Sequence, residues 1–281
     1  MTKKYPPSEV LLFALSMVMT MALARLSGLN AVTCGTGLIT ILYGCNIMTT
    51  VRGDRRRFLG NCCMAWAGYL GSTSIIEALH LTPHHAALLA ADRWLMGETP
   101  SVALSSFEGA WIGETLSAGY LSYQVYVHWV FVEALFKSNE WRDRCGSMLF
   151  TAFAVGFVGY LVCPASPPAA VYPELYTTPL AGGWLMRMND ALNAAAAARY
   201  DAFPSLHLLI TLTLLLHDWR WARWRFLIML APSLVMMVST LALRLHYVVD
   251  LIASMVLFAG LILIWRTRLY EPIGHHLRQS P

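Results

Sequence analysis

Long apolar runs are the feature that most constrains how this chain can fold. A run of about 20 apolar residues can cross the hydrocarbon core of a bilayer as a helix, because a helix satisfies its own backbone hydrogen bonds. Hydrophobic residues make up 57% of the 281 residues and charged residues only 13%, too few to cover a soluble globule of this size. We therefore predict an all-α integral membrane protein with about eight transmembrane helices, at residues 8–27, 31–51, 58–81, 119–136, 146–163, 204–217, 226–243 and 247–265.

The distribution of charge predicts the orientation of these spans. Basic residues cluster at 52–57, 137–144 and 218–225 and near the C-terminus, and such clusters face the cytoplasm. We expect both termini to lie in the cytoplasm, and the protein to lie in the cytoplasmic membrane. The net charge of +4 is explained by these basic clusters between the apolar runs, and it does not indicate nucleic acid as a partner.

Composition along the chain divides it into four regions. We predict an N-terminal three-helix transmembrane region at 1–82, an interfacial helical segment at 83–118, a catalytic transmembrane bundle at 119–270 and a cytoplasmic tail at 271–281. The bundle includes an outer loop at 164–203. Six cysteines show no CxxC spacing, so neither a disulfide framework nor a zinc site is expected.

Polar residues with chemical potential gather at the ends of two late apolar runs. His207 follows Pro204 by three residues, near the predicted start of a helix, and His246 precedes Asp250 by four. On one helical face, that carboxylate can accept from one imidazole nitrogen and leave the other free. Because such groups are costly in lipid, they indicate function by default. We predict that His246, His207 and Asp250 are catalytic.

These segments, in this order, resemble the type 2 phosphatidic acid phosphatase superfamily, within it the branch of inositol phosphorylceramide synthase and its bacterial relatives. The resemblance runs from about Ala91 to Leu261 and is carried by ADRWLMGETP with YLSYQVYV, by YLVCPASPP, by AFPSLH and by LRLHYVVD. It implies a six-helix core bundle in which His246 attacks phosphorus, Asp250 orients it and His207 is the general acid. It also implies that no metal and no cofactor is needed.

Departures from the phosphatase branch of that superfamily indicate which branch the chain resembles more. Leu206 stands where that branch has a glycine, and Ser239–Thr240 stands where it has a Ser–Arg pair. The lysine motif of that branch is also missing. These differences favour the synthase-like branch.

Phosphoryl transfer also requires cations and hydrogen-bond donors around the phosphate. Arg244 is the predicted cation, although it could instead extend to the headgroups. Ser205 and the amides at the start of the following helix are the predicted donors. Further candidates for substrate binding on the outer side, for which headgroup contacts or helix capping are alternative roles, are Tyr160, Arg187, Arg199 and Asp201.

We predict a lipid phosphotransferase. It would move a phosphate-containing headgroup from a lipid donor to an alcohol or lipid acceptor, through a phosphohistidine at the extracytoplasmic face. The alternative is a phosphatase acting on a lipid phosphate or polyprenyl diphosphate. More remote alternatives are a proton-coupled transporter and a bis-histidine haem protein that uses His80, His84, His85 or His128. Membrane lipids are the expected partners; a homo-oligomer is compatible with the sequence but not indicated by it.

Overall fold

A computed structural model describes residues 5–105, 109–196 and 198–270, so the predicted tail at 271–281 lies outside the described residues. Within them the chain is helical and forms no β-strand, which confirms the all-α prediction. The helices are α1 (Pro7–Ser27), α2 (Ala31–Thr49), α3 (Arg55–Ala78), α4 (His85–Met96), α5 (Pro100–Leu104), α6 (Ala110–Ala134), α7 (Asn139–Val162), α8 (Pro168–Val171), α9 (Trp184–Ala196), α10 (Leu206–Trp221), α11 (Arg223–Ala242) and α12 (Val248–Tyr270), with a 3₁₀ turn at Pro173–Leu175.

Eight of the described helices have 16 or more residues, and they lie at the eight predicted spans. Five of them, α1, α2, α7, α11 and α12, are long and apolar enough to cross a bilayer. The chain is therefore a membrane protein. Helix α3 begins with three arginines and α10 has only 16 residues. The full count of eight spans and the six-helix core thus stay predictions.

Seven of the eight long helices begin at a different residue from the one predicted, and the starts of α6, α10 and α12 bear most directly on the site. Helix α6 begins at Ala110 rather than at 119, directly after Gly109, whose φ of 108° is not helical. Helix α10 begins at Leu206, because Ser205 is extended and its hydroxyl caps the helix by accepting from the amide of Leu208. Helix α12 begins at Val248, so the turn before it is not helical.

Helix α7 lies at the centre of the bundle. Helices α1, α3, α10 and α12 all pack against it. One apolar core joins Leu12 of α1, Phe58 of α3, Phe150 of α7, Leu209 of α10 and Trp265 of α12. The N-terminal helices and the later helices thus share a single core.

A buried ion cluster ties helices together at the end of α10 that is remote from His207. Arg225 of α11 is fully buried and donates to the carboxylate of Asp218 in α10 at 2.5 and 2.6 Å. Tyr126 of α6 donates to the same carboxylate at 2.7 Å, and Glu133 of α6 pairs with Arg225. Since a buried charge is tolerated only when it is paired, this cluster holds α6, α10 and α11 in one arrangement.

Two glycines of α7 allow the chain leading into α10 to lie directly on that helix. A Cβ atom at Gly156 would lie 2.2 Å from a methyl of Leu206, and one at Gly159 would lie 2.3 Å from Cδ of Pro204. Real side chains do not approach so closely. The absence of side chains at these two positions therefore sets where Ser205 and His207 stand.

We expect Gly159→Ala to destabilise the protein by about 1–3 kcal/mol, because the added methyl overpacks a tight contact. Turnover should fall as well, since the displaced segment carries His207. Thermal unfolding of the purified protein in detergent measures the first effect. Gly260→Ala in α12 is the matched control, because its Cβ would meet nothing within 4 Å. Equal melting temperatures for the two variants would contradict this account.

Candidate active site

The orientation of His246 follows from its hydrogen bonds. The side chain is 3% exposed, in the turn between α11 and α12. Its Nδ1 atom lies 2.8 Å from the carbonyl oxygen of Ala202 and 3.3 Å from Oδ2 of Asp250. Because a carbonyl oxygen can only accept, Nδ1 must carry the ring proton. The Nε2 atom of the neutral ring therefore presents its lone pair.

Asp250 reaches His246 in a way that the sequence did not predict. The two residues do not share a helical face, since His246 lies two residues before α12 begins. Asp250 stands in the first turn of α12, and its Oδ2 also accepts from the amide of Tyr247 at 2.8 Å. An acidic side chain folded back over a helix N-terminus is stabilised by the free amides there. The carboxylate in the first turn of α12 thus contacts the imidazole of a residue that precedes the helix.

His207 and Ser205 approach the free nitrogen of His246. The Nδ1 atom of His207 lies 3.3 Å from Nε2 of His246, and the Ser205 hydroxyl lies 3.2 Å from it. Since that Nε2 can only accept, His207 and Ser205 are the donors. The His207 ring lies between the rings of Tyr120 and Tyr123, with centroid distances of 4.8 and 4.6 Å. These two tyrosines hold its plane.

Backbone contacts join the two histidine-bearing segments. The Ser254 hydroxyl in α12 donates to the carbonyl of Ser205 at 2.9 Å, and the amide of Ser205 donates to the carbonyl of Asp250 at 3.4 Å. The amide of Ala202 donates to the carbonyl of Ala165 in the proline-rich loop at 2.9 Å. Hydrogen bonds to the backbone of the segment before α10 therefore fix that segment relative to α12, and with it the distance between the two imidazoles.

A cavity lies beside both imidazoles, and its empty space is about 360 Å³, open mouth included. Because both rings line it, a group bound there would lie next to both histidines. Asp201 lines it and accepts from the Tyr69 hydroxyl at 2.9 Å. Burial raises the pKa of Asp201, whereas that hydrogen bond and nearby His246 lower it. The lining residues are Tyr69, Tyr120, Pro167, Asn193, Ala198, Asp201, His207, Leu245 and His246.

Arg244 points away from this cavity. Its guanidinium lies 4.7 Å from the centre of the Tyr176 ring and donates to the carbonyls of Ser105, at 3.5 Å, and Thr178. The side chain is largely buried and, among the described residues, its Nε atom has no hydrogen-bond partner. In this conformation the predicted phosphate cation is thus bound to the segments that contain Ser105 and Thr178.

The other predicted binding residues are spread around the site. Arg199 is exposed and lies 3.5 Å from Glu77 of α3, and Arg187 is on α9; neither lines the cavity. Tyr160 is buried in α7 and shares a second cleft with His207. Of the six predicted binding residues, the structure brings Ser205 and Asp201 to the histidine pair.

Asp92 is a residue whose place in the site the sequence analysis missed. It lies in α4, is fully buried, and accepts at 3.0 Å from the amides of both Val248 and Val249. A side chain from another helix therefore caps the N-terminus of α12, directly after His246. The sequence offered one signal for this role, which is the charged side chain of Asp92 among the aliphatic residues of ADRWLMG.

Tyr69 and Asn193 were also missed. Tyr69 is 132 residues from its partner Asp201, and no local pattern links the two. Asn193 of α9 lies 3.3 Å from the Tyr120 hydroxyl. Helix α9 is held by Glu114 of α6, which accepts from amides at the start of that helix. These contacts depend on packing between distant segments.

The histidines considered for haem ligation lie on different elements. The His85 ring packs against Tyr172, and the exposed His128 ring packs against Trp66 of α3. Within the described ranges, no group of three His, Cys, Asp or Glu side chains is arranged to hold a metal ion. The candidate chemistry is therefore concentrated at His207 and His246.

The fold and the site define a helical membrane protein in which two imidazoles lie within hydrogen-bonding distance. The sequence matches the profile of the PAP2 superfamily over residues 86–264, and the chain belongs to that superfamily. Its members are phosphatases and phosphotransferases, so the chain is an enzyme of this general class. No significant match was found among curated proteins or solved structures. The matched region contains both histidines and Asp250, whereas α1 to α3 precede it.

We expect Asp92→Ala to lower stability by about 1–2 kcal/mol, the usual cost of losing a helix cap. The turnover number should fall more than KM rises, because the N-terminus of α12 positions Asp250 and His246. Asp92→Asn, which keeps an acceptor, should recover most of both losses. Melting temperature and steady-state kinetics measure these effects against the exposed Asp190→Ala. An Asp92→Ala protein that matches this control would refute the role in positioning.

Proposed function

We propose that this protein is a lipid phosphotransferase with its active site at the extracytoplasmic face. It would transfer a phosphate-containing headgroup from a lipid donor to an alcohol or lipid acceptor, through a phosphohistidine on His246. One observation carries the proposal: the proton on Nδ1 of His246 leaves its Nε2 lone pair facing His207, 3.3 Å away, at a cavity that both rings line. The motif departures at Leu206 and Ser239 favour transfer over hydrolysis.

In the first step, Nε2 of His246 attacks phosphorus while the bond from phosphorus to the leaving oxygen breaks. His207, which the anionic phosphate beside it keeps protonated, gives its proton to that oxygen. Asp250 and the Ala202 carbonyl stabilise the positive charge that develops on the His246 ring. The products of this step are the phosphorylated histidine and the departing alcohol of the donor lipid.

In the second step, the acceptor hydroxyl attacks phosphorus and the bond to Nε2 breaks. His207, now neutral, takes the acceptor's proton, which restores the starting state. An alcohol as acceptor makes the enzyme a transferase. Water as acceptor makes it a phosphatase, the second candidate function, which superfamily membership supports equally.

The hydrogen bond between the two imidazoles has a role before substrate binds. It holds the lone pair of His246 toward the cavity and occupies the N–H of His207. A phosphate oxygen is a stronger acceptor than a neutral imidazole, because it is charged. A phosphate oxygen of the substrate would therefore replace Nε2 of His246 as the acceptor of the His207 N–H.

Arg244 fits the role of a phosphate cation through exchange of partners. It precedes His246 by two residues, and the partners of its guanidinium are backbone carbonyls and an aromatic ring. A phosphate carries the opposite charge and can accept two parallel N–H bonds from one guanidinium, whereas each carbonyl is neutral. A bound phosphate would thus compete effectively for this guanidinium.

Replacing His246, His207 or Asp250 by alanine should each lower turnover by at least about a hundredfold, the scale of a positioned acid–base group. Release of products from a radiolabelled lipid phosphate measures this loss. His84→Ala is the matched control, because His84 is exposed and its side chain caps nothing. Wild-type turnover in any of the three variants, with normal membrane insertion, would refute the role of that residue.

His207→Ala should accumulate a phosphoenzyme when it is given a labelled aryl phosphate, whose leaving group needs no proton. The first step would then proceed, while the second would lack its base. Label on the protein that is stable to base, labile to acid and absent from His207→Ala/His246→Ala identifies His246 as the nucleophile. Absence of label would contradict the phosphohistidine.

The same assay in wild-type protein separates the two candidate functions. Added alcohols should divert label from inorganic phosphate into a phosphodiester or a new monoester if the enzyme is a transferase. Label released only as inorganic phosphate, at a rate independent of alcohol, would favour the phosphatase.

A further inference from the structure

A second cleft adjoins the catalytic cavity, and the proposed chemistry does not use it. Its empty space is about 500 Å³, open mouth included. It is surrounded by α3, α6, α7 and the start of α10. Most of its lining is aromatic or aliphatic: Ala65, Trp66, Tyr69, Tyr123, Gln124, Val127, Phe131, Phe153, Tyr160, Leu206 and His207.

The cleft begins at the reacting groups, because Tyr69 and His207 line both spaces. From there it follows the helices into the bundle. On α6, Tyr123 contacts the His207 ring and Phe131 lies eight residues further along, which is about 12 Å at the rise of an α-helix. The cleft is therefore a narrow apolar space that leads from the catalytic histidine toward the middle of the bundle.

The mouth of the cleft lies between α3 and α6. Trp66 of α3 lines it and is 38% exposed, and Gln124 of α6 is partly exposed. In a membrane protein this outer helix surface faces lipid. A lipid chain could thus enter sideways, without crossing the aqueous phase.

We propose that this cleft binds the hydrocarbon chain of the lipid whose phosphate reacts at His246, and that α3 helps to set the accepted chain length. The inference rests on the proposed function, since it assigns the tail of the same substrate. Water is a poor occupant, because an apolar space offers it too few hydrogen bonds. A chain is the matching occupant, because it continues directly from a phosphate held beside His207.

Discrimination between lipid chains in this cleft would depend on how well a chain fits the space and not on how hydrophobic it is. A chain that leaves the bilayer for an apolar cleft gains no hydrophobic energy, since both surroundings are apolar. Close packing is what remains. Phe131 and Phe153 line the part furthest from His207 along α6 and α7, and a chain too long for this space would have to bend back toward the mouth.

The test uses two valines of α6. Val127 lines the cleft and is 3% exposed, whereas Val125 is 60% exposed and does not line it. Binding of monoalkyl phosphonates of increasing chain length, measured by calorimetry, reports on the tail without turnover. Val127→Phe should weaken binding of the longest chains at least about tenfold, the lower end of what one misfitting methylene costs in a hydrophobic pocket, and leave the shortest unchanged. Val125→Phe should bind all chain lengths as the wild type does.

A second variant tests the opposite direction. Phe131→Leu shortens a side chain at the deep part of the cleft and should move the preferred chain length upward. Equal effects of Val127→Phe on all chain lengths, together with no change in preference for Phe131→Leu, would overturn the cleft assignment. Failure of the proposed function gives a different result: chain-length-dependent binding would persist, but neither lipid phosphates nor aryl phosphates would be turned over.

Discussion

The hydrogen bond from Nδ1 of His246 to the carbonyl oxygen of Ala202 is the contact on which the site depends. It fixes the tautomer of the imidazole, and only in that tautomer does Nε2 present a lone pair to His207. It also joins the segment before α10 to the turn before α12, two parts of the chain 44 residues apart. Asp250 adds a second acceptor on the same nitrogen, so the ring orientation does not rest on one bond alone.

Two features of the bundle hold these two segments together: glycines on α7, which lack side chains, and a buried carboxylate at the start of α12. Gly156 and Gly159 of α7 make room for the segment entering α10. Asp92 brings a carboxylate to the N-terminus of α12, where it accepts hydrogen bonds from two backbone amides. The remote end of α10 is held by the Asp218–Arg225 pair. Helices that are fixed at both ends can keep two imidazoles within hydrogen-bonding distance.

The N-terminal helices belong to the same structure, although they precede the matched superfamily region. Their side chains share the main core with α7 and α10. Tyr69 of α3 donates to Asp201 at the cavity beside both imidazoles, and Ala65 and Trp66 line the cleft beside His207. A region that appears from its sequence to be an added membrane segment therefore contributes to the surroundings of the two histidines.

The sequence by itself determined the helical class, the positions of the long helices and the pairing of His207 with His246 and Asp250. Apolar runs and polar residues at their ends are local patterns, because lipid penalises exposed backbone and charge wherever they occur. Only the tertiary structure decided that α12 starts after His246, that Asp92 caps it, that Tyr69 reaches Asp201 and that Arg244 turns toward Tyr176. These contacts join residues far apart in the chain, and their geometry follows from how side chains of several helices fill the same space. No local pattern encodes that packing.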